Sequence, residues 1–334
     1  MLNQKAIIDA FARLGSKLNS TDEALQQMVT KTYVANNWLT QENYWLALGH
    51  WQRELVTDKL LSFVDRYTFT KTPRRVGVIM AGNIPLVGFH DLLCVILSGH
   101  IAVIKPSSDD KYVMLLLIHW LAELEPKLAD RMEVVERVND IDAVIATGSN
   151  NSFRYFEHYF RDKPSLLRKN RKSMAILDGS ETEGDLSLLG DDVFQYFGLG
   201  CRNVSFIYLP AKMNVTTILD AFMKYQELAN HNKYANNYTY HRALLLMNKE
   251  QHLDTGFALP KERENLHAPL ACIHYAYYQN EEQLDTFIDA NSSDIQCIVG
   301  NYSKVQTIPY GKTQRPDLQD FADGIDAMKF LSSL

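Results

Sequence analysis

Val76-Gly77-Val78-Ile79-Met80-Ala81-Gly82-Asn83-Ile84-Pro85 passes from an apolar strand through a glycine turn to a proline suited to the first position of a helix. The predicted helix opens at Pro85, carries Leu86, Phe89, Leu93, Ile96 and Leu97 on one face, and stops before Gly99. Short apolar runs follow at Ile101-Ala102-Val103-Ile104, Val144-Ile145-Ala146, Met174-Ala175-Ile176-Leu177 and 204–209, with helical segments between the earlier ones. Strands that alternate with helices predict a parallel sheet covered by helices, so the fold class is α/β. Upstream, residues 1–70 predict a helical lead-in, with Ile7, Ile8, Phe11 and Leu14 at helical spacing. Downstream, runs at 243–247, 271–275 and 295–299, with a helix near 281–289, predict a second, smaller α/β domain; residues 228–242 read as a polar loop.

With 334 residues, 46% hydrophobic and 22% charged, the chain can bury a large core and form two domains. A net charge of -6 leaves no basic excess to neutralise phosphates, which argues against a nucleic-acid partner. Met1-Leu2-Asn3-Gln4-Lys5 lacks a signal-peptide pattern, and no apolar run approaches the roughly 20 residues of a membrane helix; a cytoplasmic protein without a membrane span is expected. Cysteines at 94, 201, 272 and 297 are too scattered for a metal knuckle and too few for a disulfide scaffold, so free thiols and no metal are expected. His100, His158 and His267 show no metal or triad spacing and read as structural or surface residues.

Phe197-Gly198-Leu199-Gly200-Cys201-Arg202-Asn203-Val204-Ser205 places one thiol after two glycines and just before a strand. Glycines allow a sharp turn and leave room for a substrate beside the sulfur, which makes Cys201 the candidate nucleophile, at the seam of the two expected domains. The plain alternative is a small core residue in a tight connection.

Three turns follow predicted strands: Ala81-Gly82-Asn83-Ile84-Pro85, Lys105-Pro106-Ser107-Ser108 and Thr147-Gly148-Ser149-Asn150. Beyond the carboxyl ends of parallel strands, glycine lets backbone approach phosphate and a helix N-terminus favours anions, so together they fit a dinucleotide site on a Rossmann-like sheet. Each taken singly is also an ordinary helix cap or a solvated charge, and no G-x-G-x-x-G is present. The basic residues Arg161, Lys163, Arg168, Lys169, Arg171 and Lys172 read first as a solvated surface strip and alternatively as a holder of phosphates. Phe153, Tyr155, Phe156, Tyr159 and Phe160 read as a helix-packing face.

In this order, residues 80–89 (MAGNIPLVGF), 103–107 (VIKPS), 146–151 (ATGSNN), 168–173 (RKNRKS), 196–205 (YFGLGCRNVS) and the tail 310–331 resemble the LuxC-type acyl-CoA reductase branch of the aldehyde dehydrogenase superfamily. The resemblance runs from about residue 75 to the C-terminus and is most specific around Cys201. It implies an aldehyde-dehydrogenase-like fold, with a cofactor domain over 1–197, a catalytic domain over 198–310 and a tail over 311–334. It also implies that Cys201 forms a thioester with the acyl group and that the Asn83 amide stabilises the oxyanion. Lys105 would reach the adenosine ribose, Gly148 and Ser149 would lie beside the pyrophosphate, and Glu264 would bind the nicotinamide ribose, with Asn265 as the alternative match.

Two departures refine the expectation. Hydrolytic members place a glutamate before a Gly-Gly-Lys-Ser segment, whereas this chain has Leu167-Arg168-Lys169-Asn170-Arg171-Lys172-Ser173. Without that base, thiol exchange or hydride transfer becomes the exit for an acyl intermediate. Many NAD-specific members carry a glutamate three residues after the lysine; Ser108 stands here, and with Ser107 it points to NADPH, with NADH as the alternative. The expected activity is reduction of an acyl thioester, acyl-CoA above all, to a fatty aldehyde. An oxidative aldehyde or semialdehyde dehydrogenase and a non-catalytic dinucleotide-binding relative are the other readings. A homo-oligomer or an acyl-transferring partner protein is compatible with either enzyme.

Overall fold

Polar caps punctuate the lead-in. Asn3, Asp22 and Thr40 accept first-turn N–H groups of helices α1 (Gln4–Lys17), α2 (Glu23–Ala35) and α3 (Gln41–Glu54), and α4 (Thr57–Val64) follows. The computed structural model describes residues 2–334 except the side chain of Asn150; Met1, first in the N-terminal pattern, and that side chain, in the third turn, lie outside the described residues. The chain divides into two compact units, Met1–Asn170 with Asp317–Leu334, and Arg171–Pro316. The expected boundary at 197/198 falls inside the second unit, and most of the tail belongs to the first.

In the first unit, β1 (Arg75–Ile79), α5 (Phe89–Leu97), β2 (Ile101–Lys105), α6 (Lys111–Leu124), β3 (Met132–Val134), β4 (Ala143–Thr147), α7 (Asn150–Tyr159) and β5 (Ser165–Arg168) alternate as the apolar runs require. The five strands are parallel in the order β3-β2-β1-β4-β5, which reverses direction at β1 and β4. Leu86, Phe89, Leu93, Ile96 and Leu97 are all buried as read, but α5 begins at Phe89 rather than Pro85, because Leu86 adopts the left-handed conformation (φ 57°). The apolar stripe of α1, with Ile7, Phe11 and Leu14, joins the same core, and Met328 and Leu331 of α12 (Ala327–Ser332) close it.

The second unit contains β6 (Lys172–Ile176), α8 (Glu183–Phe194), β7 (Val204–Pro210), α9 (Val215–Phe222), α10 (Asn232–Met247), β8 (Leu259–Glu262), β9 (Cys272–Tyr278), α11 (Glu281–Asn291) and β10 (Ile295–Gly300). Its five parallel strands run β10-β6-β7-β9-β8. The run 243–247 is not a strand, and most of 228–242 is not a loop: both belong largely to α10, where Leu246 and Met247 are exposed. No helix among the described residues is long and apolar enough to cross a membrane.

Candidate active site

Register brings the three glycine and lysine turns of the first unit level with one another. Ile79 of β1 pairs with Lys105 of β2 on one side and Ala146 of β4 on the other, so all three turns leave the same carboxyl edge at the reversal of strand order. The first two turns touch: a Cβ on Gly82 would lie 2.4 Å from the Ser107 Oγ, so only glycine fits there. Ser107 Oγ also accepts the Asp109 N–H at 3.3 Å, while Ser108 and Asn83 are exposed and Lys105 is half-buried. Ser149 caps α7, its hydroxyl accepting the Ser152 N–H at 3.3 Å, and a Cβ on Gly148 would press within 2.8 Å of Ser152. The positive dipole end of α7 therefore stands beside Gly148, a setting that suits an anion.

The basic residues do not form one strip. Arg168 is buried on β5, and its Nη1 donates to both Asp91 carboxylate oxygens of α5 at 2.6–2.7 Å, whereas Arg161, Lys163 and Lys169 are exposed. Asp91 is thus a carboxylate neutralised by a guanidinium, chemically unsuited to serve as a base. The aromatic face on α7 is only partly a packing face: Phe160 is buried, but Tyr155 and Tyr159 are largely exposed. His100 is structural as expected, accepting the Arg74 N–H at 3.1 Å while its other ring nitrogen lies 3.0 Å from the Leu331 carbonyl.

In the second unit the Cys201 turn is more constrained than its glycines indicate. Tyr196, Phe197 and Gly198 take successive positive φ values of 55°, 61° and 73°. For the two aromatic residues this conformation is strained and persists only when surrounding contacts impose it. Phe197 packs its ring 4.4 Å from that of His231, and Asn203 ties down the residues on either side. Buried at 2% exposure, its Oδ1 accepts the Gly200 N–H at 2.8 Å, and its Nδ2 donates to carbonyls at the end of α8, including Gln195 at 2.9 Å and Asp192 at 3.1 Å. Ser173, buried on β6, donates to the Cys201 carbonyl at 3.0 Å, and its Oγ is 3.0 Å from Cys297 Sγ. Neither Asn203 nor Ser173 was singled out above; a polar residue before a strand in a glycine turn is the only sequence signal of the first.

Cys201 is half-buried. The Lys172 ammonium is half-buried, its pKa lowered by burial, with Cys201 among its electrostatic neighbours. Burial instead pushes the Cys272 and Cys297 thiols up to about 11 and Cys94 well above its ordinary value, holding all three neutral near pH 7. Glu264 is exposed past the carboxyl end of β8, where it accepts the Tyr208 hydroxyl at 2.9 Å and lines a polar cleft of about 560 Å³. Cys201 precedes the amino end of β7, so Glu264 leaves the sheet at the opposite edge. Asn265 also faces the cleft, but its Oδ1 accepts the His267 N–H at 2.8 Å. No group of three or more metal-ligating side chains occurs among the described residues.

The fold is shared with aldehyde dehydrogenases. The P. syringae indole-3-acetaldehyde dehydrogenase AldA, solved with NAD+ and IAA, superposes with a TM-score of 0.68 at 12% identity, covering 91% of this chain and 74% of its own. The Mycobacterium tuberculosis aldehyde dehydrogenase complexed with NAD+ gives 0.65 at 15% identity, over 92% and 76%. The NAD-dependent aldehyde dehydrogenase from Sinorhizobium meliloti gives 0.67 at 11%, over 91% and 71%. No curated protein sequence matches the chain. The sequence profile described as acyl-CoA reductase (LuxC) matches residues 52–233, a span that holds the three turns of the first sheet and the constrained thiol of the second. Since that match takes in more than half of the chain, the protein belongs to the acyl-CoA reductase (LuxC) family.

Proposed function

We propose that the protein takes an acyl group from acyl-CoA onto Cys201 and releases it as the aldehyde, with NADPH as reductant. The observation that carries this reading is the Cys201 turn: successive left-handed residues at 196–198 and hydrogen bonds from Asn203 and Ser173 fix the half-buried thiol in place, while burial pushes the other three thiols up. The Cys201 thiolate attacks the thioester carbonyl, the Asn83 amide donates to the oxyanion, and the CoA thiolate leaves. NADPH, when bound, supplies the hydride that takes the acyl group to the aldehyde level. Collapse of the tetrahedral adduct then frees the aldehyde and restores the Cys201 thiolate. With Asp91 tied to Arg168 and no carboxylate in 167–173, neither position offers a base to direct the acyl group to water.

Lys105, Ser107, Ser108, Gly148 and Ser149 are the proposed cofactor contacts, since they share one carboxyl edge beside the α7 N-terminus; Glu264, at the sheet edge opposite the Cys201 turn, is too far from the thiol to hold a nicotinamide ribose beside it. NADH is the second reading, favoured by the exposed carboxylate of Asp109 next to Ser108, which would repel a 2′-phosphate. Intact-protein mass spectrometry after incubation with a panel of acyl-CoAs tests the central claim. An acyl adduct that maps to Cys201 and vanishes in Cys201→Ser, together with aldehyde production, is expected. An adduct on Cys94, Cys272 or Cys297, or substantial reduction by the serine variant, overturns it.

A further inference from the structure

Asp110 stands at the N-terminal boundary of α6, where an aspartate ordinarily caps the helix, yet its side chain accepts no N–H from that helix. It is 3% exposed, and its carboxylate is committed elsewhere. One oxygen accepts the hydroxyl of Tyr44, itself fully buried on α3, and the other accepts the backbone N–H of Leu86 at 2.7 Å. Leu86 lies three residues after Asn83 and is the left-handed residue of that turn (φ 57°), a conformation that the surroundings must impose. At the other end of the same segment, Gly82 is packed against Ser107 with no room for a Cβ. The turn bearing Asn83 is therefore clamped at both ends by one neighbouring loop, 105–110.

Burying a carboxylate costs free energy, and here burial raises the Asp110 pKa to about 7. A neutral cap would have been the more stable choice for the helix alone, which indicates a role in shaping the turn. The geometry points to Asp110 as a positioning residue for Asn83, holding the Leu86 N–H so that the Asn83 amide is presented in a fixed place for the developing oxyanion. This inference rests on the oxyanion role proposed above for Asn83. Asp110 touches no reacting atom in this scheme and acts only through the turn.

A double-mutant cycle on the full-length enzyme tests it, with kcat for acyl-CoA reduction and KM for NADPH as readouts. Asn83→Ala should lower kcat by roughly 100-fold. Asp110→Ala should lower kcat by about tenfold or more while changing KM by less than about threefold, because a small displacement of a catalytic donor costs rate more than binding. In the Asn83→Ala background the same Asp110 change should add less than about twofold. Asp110→Asn, whose amide oxygen can still accept the Leu86 N–H, should recover most of kcat. If the alanine variant does not fold, Asp110→Leu fills the buried site without an acceptor and takes its place. Unchanged kcat in Asn83→Ala overturns the oxyanion reading and this inference with it. A normal loss in Asn83→Ala combined with an additive or silent Asp110→Ala, or with no rescue by asparagine, overturns the inference alone.

Discussion

Asn203→Ala should both destabilise the protein and disarm the thiol. The native side chain makes one accepted hydrogen bond, from the Gly200 N–H, and shares its two amide hydrogens among the Asp192, Val193 and Gln195 carbonyls, all in a buried setting. Counting about three bonds at a net ~1 kcal/mol each gives a loss of about 3 kcal/mol, and the stranded Gly200 N–H brings a desolvation cost of similar order to one bond. For domains of this size each kcal/mol moves Tm by about 2–4 °C, so a loss of about 4 kcal/mol in all gives an expected fall of roughly 8–16 °C. The kinetic consequence follows from the strain: with Asn203 gone, fewer contacts hold the left-handed conformations of Tyr196 and Phe197, and the turn relaxes away from its thiol-presenting shape. Thermal melts and the pseudo-first-order rate of Cys201 alkylation by iodoacetamide measure the two effects separately. A variant that melts within about 1 °C of wild type and alkylates at the wild-type rate would show that Asn203 does not hold the turn. Asn203→Asp should not rescue, since it keeps the acceptor but sets a carboxylate against several carbonyl oxygens.

The remaining expectations concern the cofactor loop and the buried charges. Ser108→Glu should shift the ratio of kcat/KM values from NADPH toward NADH by roughly tenfold or more, through repulsion of the 2′-phosphate at short range; an unmoved ratio would separate this loop from cofactor choice. Asp91→Ala should cost about 3–5 kcal/mol in urea unfolding, because it leaves the buried Arg168 guanidinium uncompensated, and a loss below about 1 kcal/mol would contradict the pairing. The Asp110 carboxyl, raised from 3.8 to about 7 chiefly by burial, with Tyr44 and Asp109 as its ionisable neighbours, binds a proton in the folded state that the unfolded chain has released. Its contribution to stability is therefore greatest below about pH 4 and is lost as pH rises to about 7, so Asp110→Asn should gain stability relative to wild type between pH 4.5 and 7.5. A difference between the two that is flat across that range would show that Asp110 is not buried as a titrating acid.

The runs 76–80, 101–104, 144–146, 174–177 and 204–209 are buried central or near-central strands, where both faces are covered and the apolar signal is continuous. The strands Met132–Val134, Ser165–Arg168 and Leu259–Glu262 were not legible: they are edge strands of three or four residues, with half their positions open to solvent. Ala243-Leu244-Leu245-Leu246-Met247 misled because a short apolar run has no period that separates strand from helix, and here it ends α10 with side chains left exposed.

At the candidate site the division is similar. Local chemistry singled out Cys201 between its glycines and the turns at Asn83, Lys105 and Gly148, because tight turns and strand ends are properties of a few consecutive residues. That Arg168 turns inward to Asp91, that Asp110 abandons its helix for Leu86, that Ser173 grips the Cys201 carbonyl from β6 and that Asn203 reaches back to the end of α8 are contacts between residues distant in sequence or opposed to local preference. The neutral state of Cys94, Cys272 and Cys297 has the same origin. Burial and partnership depend on which strands become neighbours and in what register, and that is set by the packing of the whole unit rather than by any window of sequence.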